Sequence, residues 1–367
     1  MSKSLKEIKL NKSIIISAVK DISQSAKAVN LVYISEQHLC IERAGKTKNF
    51  YYHNGGSKIE ETEILERIKK LAIPPAWRNV RICKLANGHL QATGLDALNR
   101  KQYRYHNLWS VIRNHTKFYR LLDFGKQLPS IKTQLQKHLS LEGYPREKVL
   151  AAVVSLLQLT NIRVGNDSYE KLYGSFGLTT LKNRHVSLSE SKLIFTFKGK
   201  KGIKHNITLR SKKLSRIVKG CKDIPGKDLF GYMDENGIVH DVDSGMVNEY
   251  IRTISGGDFT AKDFRTWAGS VEALKAFKET GGFENQTSMK QKINEAFEIV
   301  SKHLGNTKTV CKKYYVHPLI LKLYEENKLE QYIGNMKITE TDDDKSGLTS
   351  EEKVLMKVLE HSYVPVV

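Results

Sequence analysis

The chain has 367 residues, 40% hydrophobic and 27% charged. This is ordinary globular composition with room for two domains of roughly 150 residues each, and no run approaches the roughly 18 apolar residues that a membrane span needs. Sixty Lys and Arg against 39 Asp and Glu give a formal charge of +21, which suits a polyanion because each neutralised phosphate releases condensed counterions; a membrane surface or RNA would account for the charge as well as DNA.

The opening Met1-Ser2-Lys3-Ser4-Leu5-Lys6 has no apolar segment followed by a small-residue cleavage site, so secretion is not expected. The first hundred or so residues read mainly as strands. Leu31-Val32-Tyr33-Ile34, His38 to Arg43 and Lys48 to Tyr52 are short β-prone runs separated by polar and Gly-containing turns. Ile64, Leu65, Ile68, Leu71 and Ala72 share one face of a helix that Pro74-Pro75 is expected to stop. Val80 to Leu85 and His89 to Gly94 then flank Asn87-Gly88, a strong signal for a tight hairpin.

From about residue 110 the pattern becomes helical, with a broad apolar face in Val149, Leu150, Val153, Val154, Leu156 and Leu157. Alternation returns at Leu193, Phe195 and Phe197, and again at Ile203 and Ile207, around Lys198-Gly199-Lys200-Lys201-Gly202: a hairpin with a lysine-rich tip. Asp243 is expected to cap a helix through Met246 to Ile254, and Gly305 to close another over Ser288 to Leu304. Thr339 to Gly347 reads as an acidic linker in which Asp342-Asp343-Asp344 form a solvated loop, and Thr349 with Glu352 suits the capping box of a last helix. Cys40, Cys83, Cys221 and Cys311 are too scattered for a zinc site and read as free thiols in a reducing compartment.

Several charged or nucleophilic side chains sit where an ordinary element does not need them. Arg163 follows an apolar helix, Lys200 tops the hairpin, Arg265 lies in Lys262-Asp263-Phe264-Arg265-Thr266, and Gly305-Asn306-Thr307 leads, nine residues past Asn306, to Tyr315. Singly, each has a dull explanation: a helix-end ion pair, a solvated turn, a packed Tyr-Tyr pair. In this order they resemble the catalytic set of the type IB DNA topoisomerases and the related tyrosine recombinases, most closely the small poxvirus-type and bacterial topoisomerases. The matching stretches include Ile162-Arg163-Val164-Gly165 with Gly177-Leu178-Thr179-Thr180-Leu181, and Phe197-Lys198-Gly199-Lys200. Upstream, Ile73-Pro74-Pro75-Ala76-Trp77 and Gly94-Leu95-Asp96-Ala97 through Arg100-Lys101-Gln102-Tyr103-Arg104-Tyr105 are similar to that family's amino-terminal domain, so the likeness runs over residues 60–335.

The resemblance implies a tyrosine nucleophile, Tyr315, giving a 3′-phosphotyrosine and a free 5′-hydroxyl. Arg163 and Arg265 would clamp the non-bridging oxygens, because a guanidinium fork matches phosphate geometry. Lys200 is the candidate general acid for the leaving oxygen. No cofactor, nucleotide or metal is called for, and no G-x-x-x-x-G-K-[ST] occurs. Asn306 stands where the poxvirus-type enzymes and most recombinases carry His; some bacterial members share the Asn. Asn still donates a neutral hydrogen bond but brings no charge, and His303 reads as a surface or packing residue. Tyr169 and Lys262 are expected to contact phosphates, and Gln102, Tyr103 and Tyr105 to meet a groove of the duplex, with a tyrosine stripe serving as core as the plain alternative.

Two rivals stand beside the topoisomerase. A tyrosine recombinase typically shows H-x-x-R where this chain has Lys262-x-x-Arg265, and carries an all-helical amino-terminal module. A DNA-binding protein on a decayed catalytic fold would not retain nearly every catalytic position. The expected architecture is α+β: a β-rich amino-terminal DNA-binding domain over residues 1–113, then a mostly α-helical catalytic domain with a small sheet over 114–367. The expected partner is double-stranded DNA, bound by a monomer without membrane association, in the cytoplasm and nucleoid of a bacterium or in the virion or host cell of a virus.

Overall fold

The computed structural model describes residues 26–27, 29–46, 49–97, 101–338 and 346–363. The opening hexapeptide and Asp342-Asp343-Asp344 lie outside them. The chain divides into two compact units, one up to Arg120 and the other from Leu121.

The first unit is built on an antiparallel sheet of β1 (Ile41–Lys46), β2 (Asn49–Asn54), β3 (Ser57–Lys58), β4 (Arg78–Ile82), β5 (Leu90–Leu95) and β6 (Lys101–Tyr105), in the order β3-β2-β1-β4-β5-β6. Helix α1 (Thr62–Lys70) lays Ile64, Leu65 and Ile68 on Ile41, Val80, Ile82 and Ala92. It ends before the two prolines: Leu71 caps it, Ala72 turns to φ 49°, and the Leu71 carbonyl accepts from Arg104 Nε at 2.7 Å.

Two strand expectations fail for tertiary reasons. Leu31–Ile34 contributes a single bridge, Val32 to Gly88, in place of a strand. Asn87-Gly88 does not form a two-residue hairpin, which requires positive φ at the first position or at both; neither residue has it. The connection is wider because the buried Gln91 side chain organises it. Its Nε2 faces the carbonyls of Leu85, Ala86 and Gly88 at 3.1, 3.1 and 2.7 Å, while its Oε1 accepts from Arg67 at 2.9 Å.

The second unit is mostly helical. Helix α2 (Asn107–Leu139) leads into it, followed by α3 (Arg146–Thr160), α4 (Asp167–Tyr173) and a small sheet of β7 (Val186–Leu188), β8 (Lys192–Lys198) and β9 (Lys204–Arg210). Then come α5 (Lys212–Asp223), the ribbon β10 (Gly231–Met233) with β11 (Val239–Asp241), α6 (Ser244–Ser255), α7 (Ala261–Thr280), α8 (Gln286–Leu304), α9 (Lys308–Tyr314), α10 (Pro318–Glu325), α11 (Glu330–Ile333) and α12 (Ser350–Tyr363). Residues 149–157 of α3 are all buried, so this element is the spine of the core rather than an amphipathic surface helix. The expected caps form: Asp243 accepts from Met246 N at 2.8 Å, and Gly305 closes α8 with φ 58°.

The carboxy-terminal helix α12 is fixed by one carboxylate. Thr349 and Glu352 make the reciprocal capping box, at 2.9 and 3.2 Å. Glu352 also accepts from Lys132 Nζ of α2 at 2.7 Å and from Trp267 Nε1 of α7 at 3.1 Å, in a setting where the Lys132 and Glu352 side chains are only 8% and 10% exposed. Removing one partner of such a pair strands a buried charge. Glu352→Ala is expected to lower stability by about 3–5 kcal/mol, and Glu352→Gln, which keeps an acceptor oxygen, by less; urea denaturation with unchanged slope checks both.

Candidate active site

Helix α3 ends at Thr160, and Asn161 takes the left-handed conformation (φ 55°, ψ 17°) that turns the chain out of the helix. Arg163 therefore sits in an extended segment. That segment is stitched to the one after α4: Leu178 N donates to the Arg163 carbonyl at 2.9 Å and Thr179 N to Val164 at 2.7 Å. Gly177 permits the approach, because a Cβ there would lie 2.5 Å from both the Arg163 carbonyl oxygen and Gly165 Cα. The two blocks that the sequence pairs at a distance are thus one backbone contact.

Strands β8 and β9 form the expected hairpin, closing on a 3-10 turn over Lys200–Gly202 in which Lys201 has φ 62°. Phe176 N donates to the Lys198 carbonyl at 2.8 Å, tying the hairpin tip to the Arg163 segment. Lys200 is exposed, with Nζ 5.3 Å from the centre of the Tyr169 ring.

Helix α7 starts with a capping box in which the Asp263 carboxylate accepts from Thr260 N at 2.8 Å. This places Arg265 in the first turns, where it is 4% exposed. Its Nη1 donates to the Asn161 carbonyl, and its Nη2 to the Leu304 carbonyl at 2.9 Å. Those two carbonyls are held in register by a side-chain bridge, Asn161 Nδ2 to His303 Nε2 at 2.8 Å, and His303 Nδ1 returns to Glu272 of α7 at 3.5 Å. Arg265, Asn161, His303 and Glu272 therefore close a ring linking three helix segments. His303 is a structural member of that ring.

After Gly305, Thr307 caps α9 by accepting from Val310 N. Tyr315 is the residue that leaves this helix. Helix α7 comes close enough to touch its backbone only because position 269 is glycine: a Cβ there would be 2.6 Å from the Tyr315 carbonyl oxygen. Tyr315 is half-buried, with the Arg265 guanidinium carbon 5.2 Å from its ring centre, while neighbouring Tyr314 points to solvent beside Lys313.

These elements enclose a cleft of about 230 Å³ lined by Arg163, Tyr169, Lys200, Lys262, Arg265 and Tyr315 among others. Its electrostatics are one-sided. Among the described residues neither guanidinium pairs with a carboxylate: Arg163 donates to the Gly305 carbonyl at 3.1 Å and to Asn306 Oδ1, and Arg265 to the carbonyls above. Burial, reinforced by Arg265, pulls Arg163 down to about 10. Burial lowers Arg265 as well, opposed by the Tyr315 hydroxyl, and its Nε is buried without a partner. At neutral pH Arg163 remains protonated, so the cleft presents concentrated positive charge and unspent donors. Donors of this kind match the geometry of a phosphate diester.

Asn306 does not line the cleft; its Oδ1 takes an Arg163 hydrogen bond and its Nδ2 lies 3.5 Å from the Leu304 carbonyl. Gln102, Tyr103 and Tyr105 belong to the first unit. Gln102 is half-buried and donates to Asp96 at 2.9 Å, whereas Tyr103 and Tyr105 are 43% and 41% exposed with stacked rings, so they are not a core stripe. The sequence reading missed His205, which stacks on Phe197 and is lowered by burial and by Arg163 and Arg265, and it missed the Asn161–His303 bridge. An Asn just past an apolar helical run was a legible left-handed cap; its partner was not.

Comparison with known proteins agrees with this geometry. Residues 106–344 match the family model of the eukaryotic DNA topoisomerase I catalytic core, and residues 49–96 that of the bacterial DNA topoisomerase IB N-terminal domain. The DNA topoisomerase 1B of Acanthamoeba polyphaga mimivirus is 32% identical over 293 residues, covering 78% of this chain and 87% of that protein. The chain belongs to the type IB DNA topoisomerase family. More distant topoisomerases include DNA topoisomerase 1B of Vaccinia virus (strain Copenhagen), 24% identical over 64% of this chain and 72% of its own, and DNA topoisomerase 1 of Rabbit fibroma virus (strain Kasza), 23% identical over 62% and 70%. No helix among the described residues of this topoisomerase is long and apolar enough to cross a membrane.

The turn that hands its carbonyl to Arg265 yields a stability test. Asn161→Gly loses the bridge to His303 but adopts positive φ freely, and is expected to stay within about 1 kcal/mol of the parent. Asn161→Ala loses the bridge and opposes the left-handed turn, so it is expected to fall about 1–2 kcal/mol below Asn161→Gly. Chemical denaturation of the two variants measures the difference.

Proposed function

We propose that this chain relaxes supercoiled duplex DNA by cutting one strand through Tyr315, letting it swivel and resealing it. The observation that carries the reading is the cleft itself: Tyr315, Lys200 and two guanidiniums that have no carboxylate partner among the described residues line a single cavity. In this scheme Tyr315 Oη bonds to phosphorus as its proton passes to water, and the 5′-oxygen leaves with a proton from Lys200. Arg163 and Arg265 stabilise the charge that grows on the non-bridging oxygens. The phosphotyrosyl ester conserves the energy of the broken bond, so resealing needs no ATP, and the cationic set takes the place of a metal.

Asn306 acts here through Arg163, accepting from its guanidinium at Oδ1, and its Nδ2, held only at 3.5 Å from the Leu304 carbonyl, is the donor that would turn to a phosphate oxygen. Tyr169 and Lys262, at the rim of the same cleft, contact flanking phosphates; Gln102, Tyr103 and Tyr105 meet the duplex from the first unit. Since one chain supplies every group, the working form is a monomer, and it acts in whichever compartment holds its duplex substrate.

Relaxation of a plasmid of either supercoil sign in EDTA, without ATP, is the expected activity. A denaturant-trapped covalent adduct is expected from the parent and from Tyr314→Phe but not from Tyr315→Phe. An adduct that survives Tyr315→Phe sinks the nucleophile assignment.

The general acid is tested with the leaving group. Replacing the bridging 5′-oxygen by sulfur removes the need for a proton, so Lys200→Ala is expected to be slow on ordinary DNA and largely restored on the sulfur-bridged strand. Arg265→Ala is expected to be slow on both, because the non-bridging charge persists whatever leaves. Equal defects of Lys200→Ala on the two substrates would make Lys200 a charge stabiliser instead.

A further inference from the structure

The segment before the first strand holds one half-exposed aromatic side chain with unusual firmness. Val32 N donates to the Asn87 carbonyl at 2.9 Å, His89 N to the Val32 carbonyl at 2.9 Å, and Ile34 N to His89 Nδ1 at 3.1 Å, so both neighbours of Tyr33 are locked to the residues leading into β5. Tyr33 is 49% exposed, yet its ring lies flat on His89, with centroids 4.2 Å apart and planes at 14°. His89 is buried and stands edge-on to Trp109 at 4.6 Å. It also meets Tyr105 at 6.2 Å with the planes tilted by 31°, and Tyr105 stacks with Tyr103 at 6.0 Å. Four rings from three separate stretches of chain form one column, Tyr33–His89–Tyr105–Tyr103.

The sheet face that carries this column bears three cations, of which Arg81 lies 3.9 Å from Glu42 and Lys101 pairs with Glu36. Directly paired residues of an antiparallel ladder share a face. Arg81 pairs with Thr93, and Thr93 with Tyr103; Arg78 pairs with Leu95, and Leu95 with Lys101. Arg78, Arg81 and Lys101 therefore stand with the tyrosines, while Ile82 and Ala92 point the opposite way, to the core under α1. An ordered row of hydroxyl-tipped rings among cations fits a polyanion that offers acceptors along a groove, which is duplex DNA.

We propose that Tyr33 is a third tyrosine of the duplex-contacting face, set on the His89 ring so that the column reads a longer stretch of DNA than Tyr103 and Tyr105 alone. This rests on the reading of Tyr103 and Tyr105 as DNA contacts. Burial holds His89 below its ordinary pKa, which keeps the platform neutral at neutral pH.

The test is duplex binding by the full chain carrying Tyr315→Phe, which reads non-covalent affinity alone. Tyr33→Ala is expected to weaken Kd roughly tenfold, comparably to Tyr103→Ala, with Tyr33→Phe between it and the parent. Because Tyr33 is uncharged, the slope of log Kd against log salt should not change, whereas Lys101→Ala should make it shallower by about one. In parallel, duplexes carrying 5-iodouracil are irradiated with the Tyr33-containing protein, and the cross-linked peptides should include Tyr33; this arm holds even if Tyr33→Ala disturbs folding. Parent-like affinity of Tyr33→Ala beside weakened Tyr103→Ala and Tyr105→Ala, or cross-links confined to the latter two, overturns the role of Tyr33. Parent-like affinity of all three would overturn the underlying reading of this face.

Discussion

Two guanidiniums brought together, Arg265 buried and Arg163 half-buried, with no carboxylate among the described residues to neutralise them, are the constraint on which the rest of the second unit depends. Both desolvation and mutual repulsion oppose the arrangement. It is held because neutral carbonyls at helix ends and turns accept the guanidinium protons: Asn161 at the end of α3, Leu304 at the end of α8 and Gly305 beyond it. A helix C-terminus leaves such carbonyls without intrahelical donors and carries partial negative charge. Supporting the arginines in this way fixes their geometry without cancelling their charge, which a salt bridge would do. The charge stays uncancelled at the cleft.

That solution demands that three helix segments keep their relative positions to within a hydrogen bond. The Arg265–Asn161–His303–Glu272 ring does this beside the cleft. On α7, two residues beyond Arg265, Trp267 donates to Glu352, so the carboxy-terminal helix also grips the element that presents the arginine. Helix α12 lies beyond residue 344, where the match to the family's catalytic core ends. Its Glu352 joins Lys132 of α2 to Trp267 of α7 and so braces the helix carrying Arg265. The glycine at 269 completes the set by letting α7 and the Tyr315 backbone share space.

The first unit uses a different economy. Its sheet buries one face under α1, while the other carries arginines, a lysine and stacked tyrosines beside the small buried cluster of Ile34, Leu39, Cys83 and Leu90. Aromatic rings held by flanking backbone hydrogen bonds lose little freedom when they meet a partner, so an ordered exposed row costs less on binding than the same side chains on a loose loop. Val32, Ile34 and His89 supply that order for Tyr33.

What the sequence by itself determined is what a few neighbouring residues can encode. The Asp243 cap, the Thr349–Glu352 box, the Gly305 closure and the lysine-tipped hairpin were all legible, since each depends on contacts within a turn or on strict alternation. The order of Arg163, Lys200, Arg265 and Tyr315 pointed to the family. Only the tertiary structure decided the rest. Asn87-Gly88 has the composition of a tight turn, but Gln91 and Arg67 impose a wider one; Leu31–Ile34 has strand composition, but its backbone bonds are spent pinning Tyr33. The partners that make Arg265 a usable cation lie 104 residues away at Asn161 and 39 at Leu304, and Asn161 finds His303 across 142. Such contacts carry no local periodicity or capping signal, because what fixes them is the packing of helices that the intervening chain must first bring together.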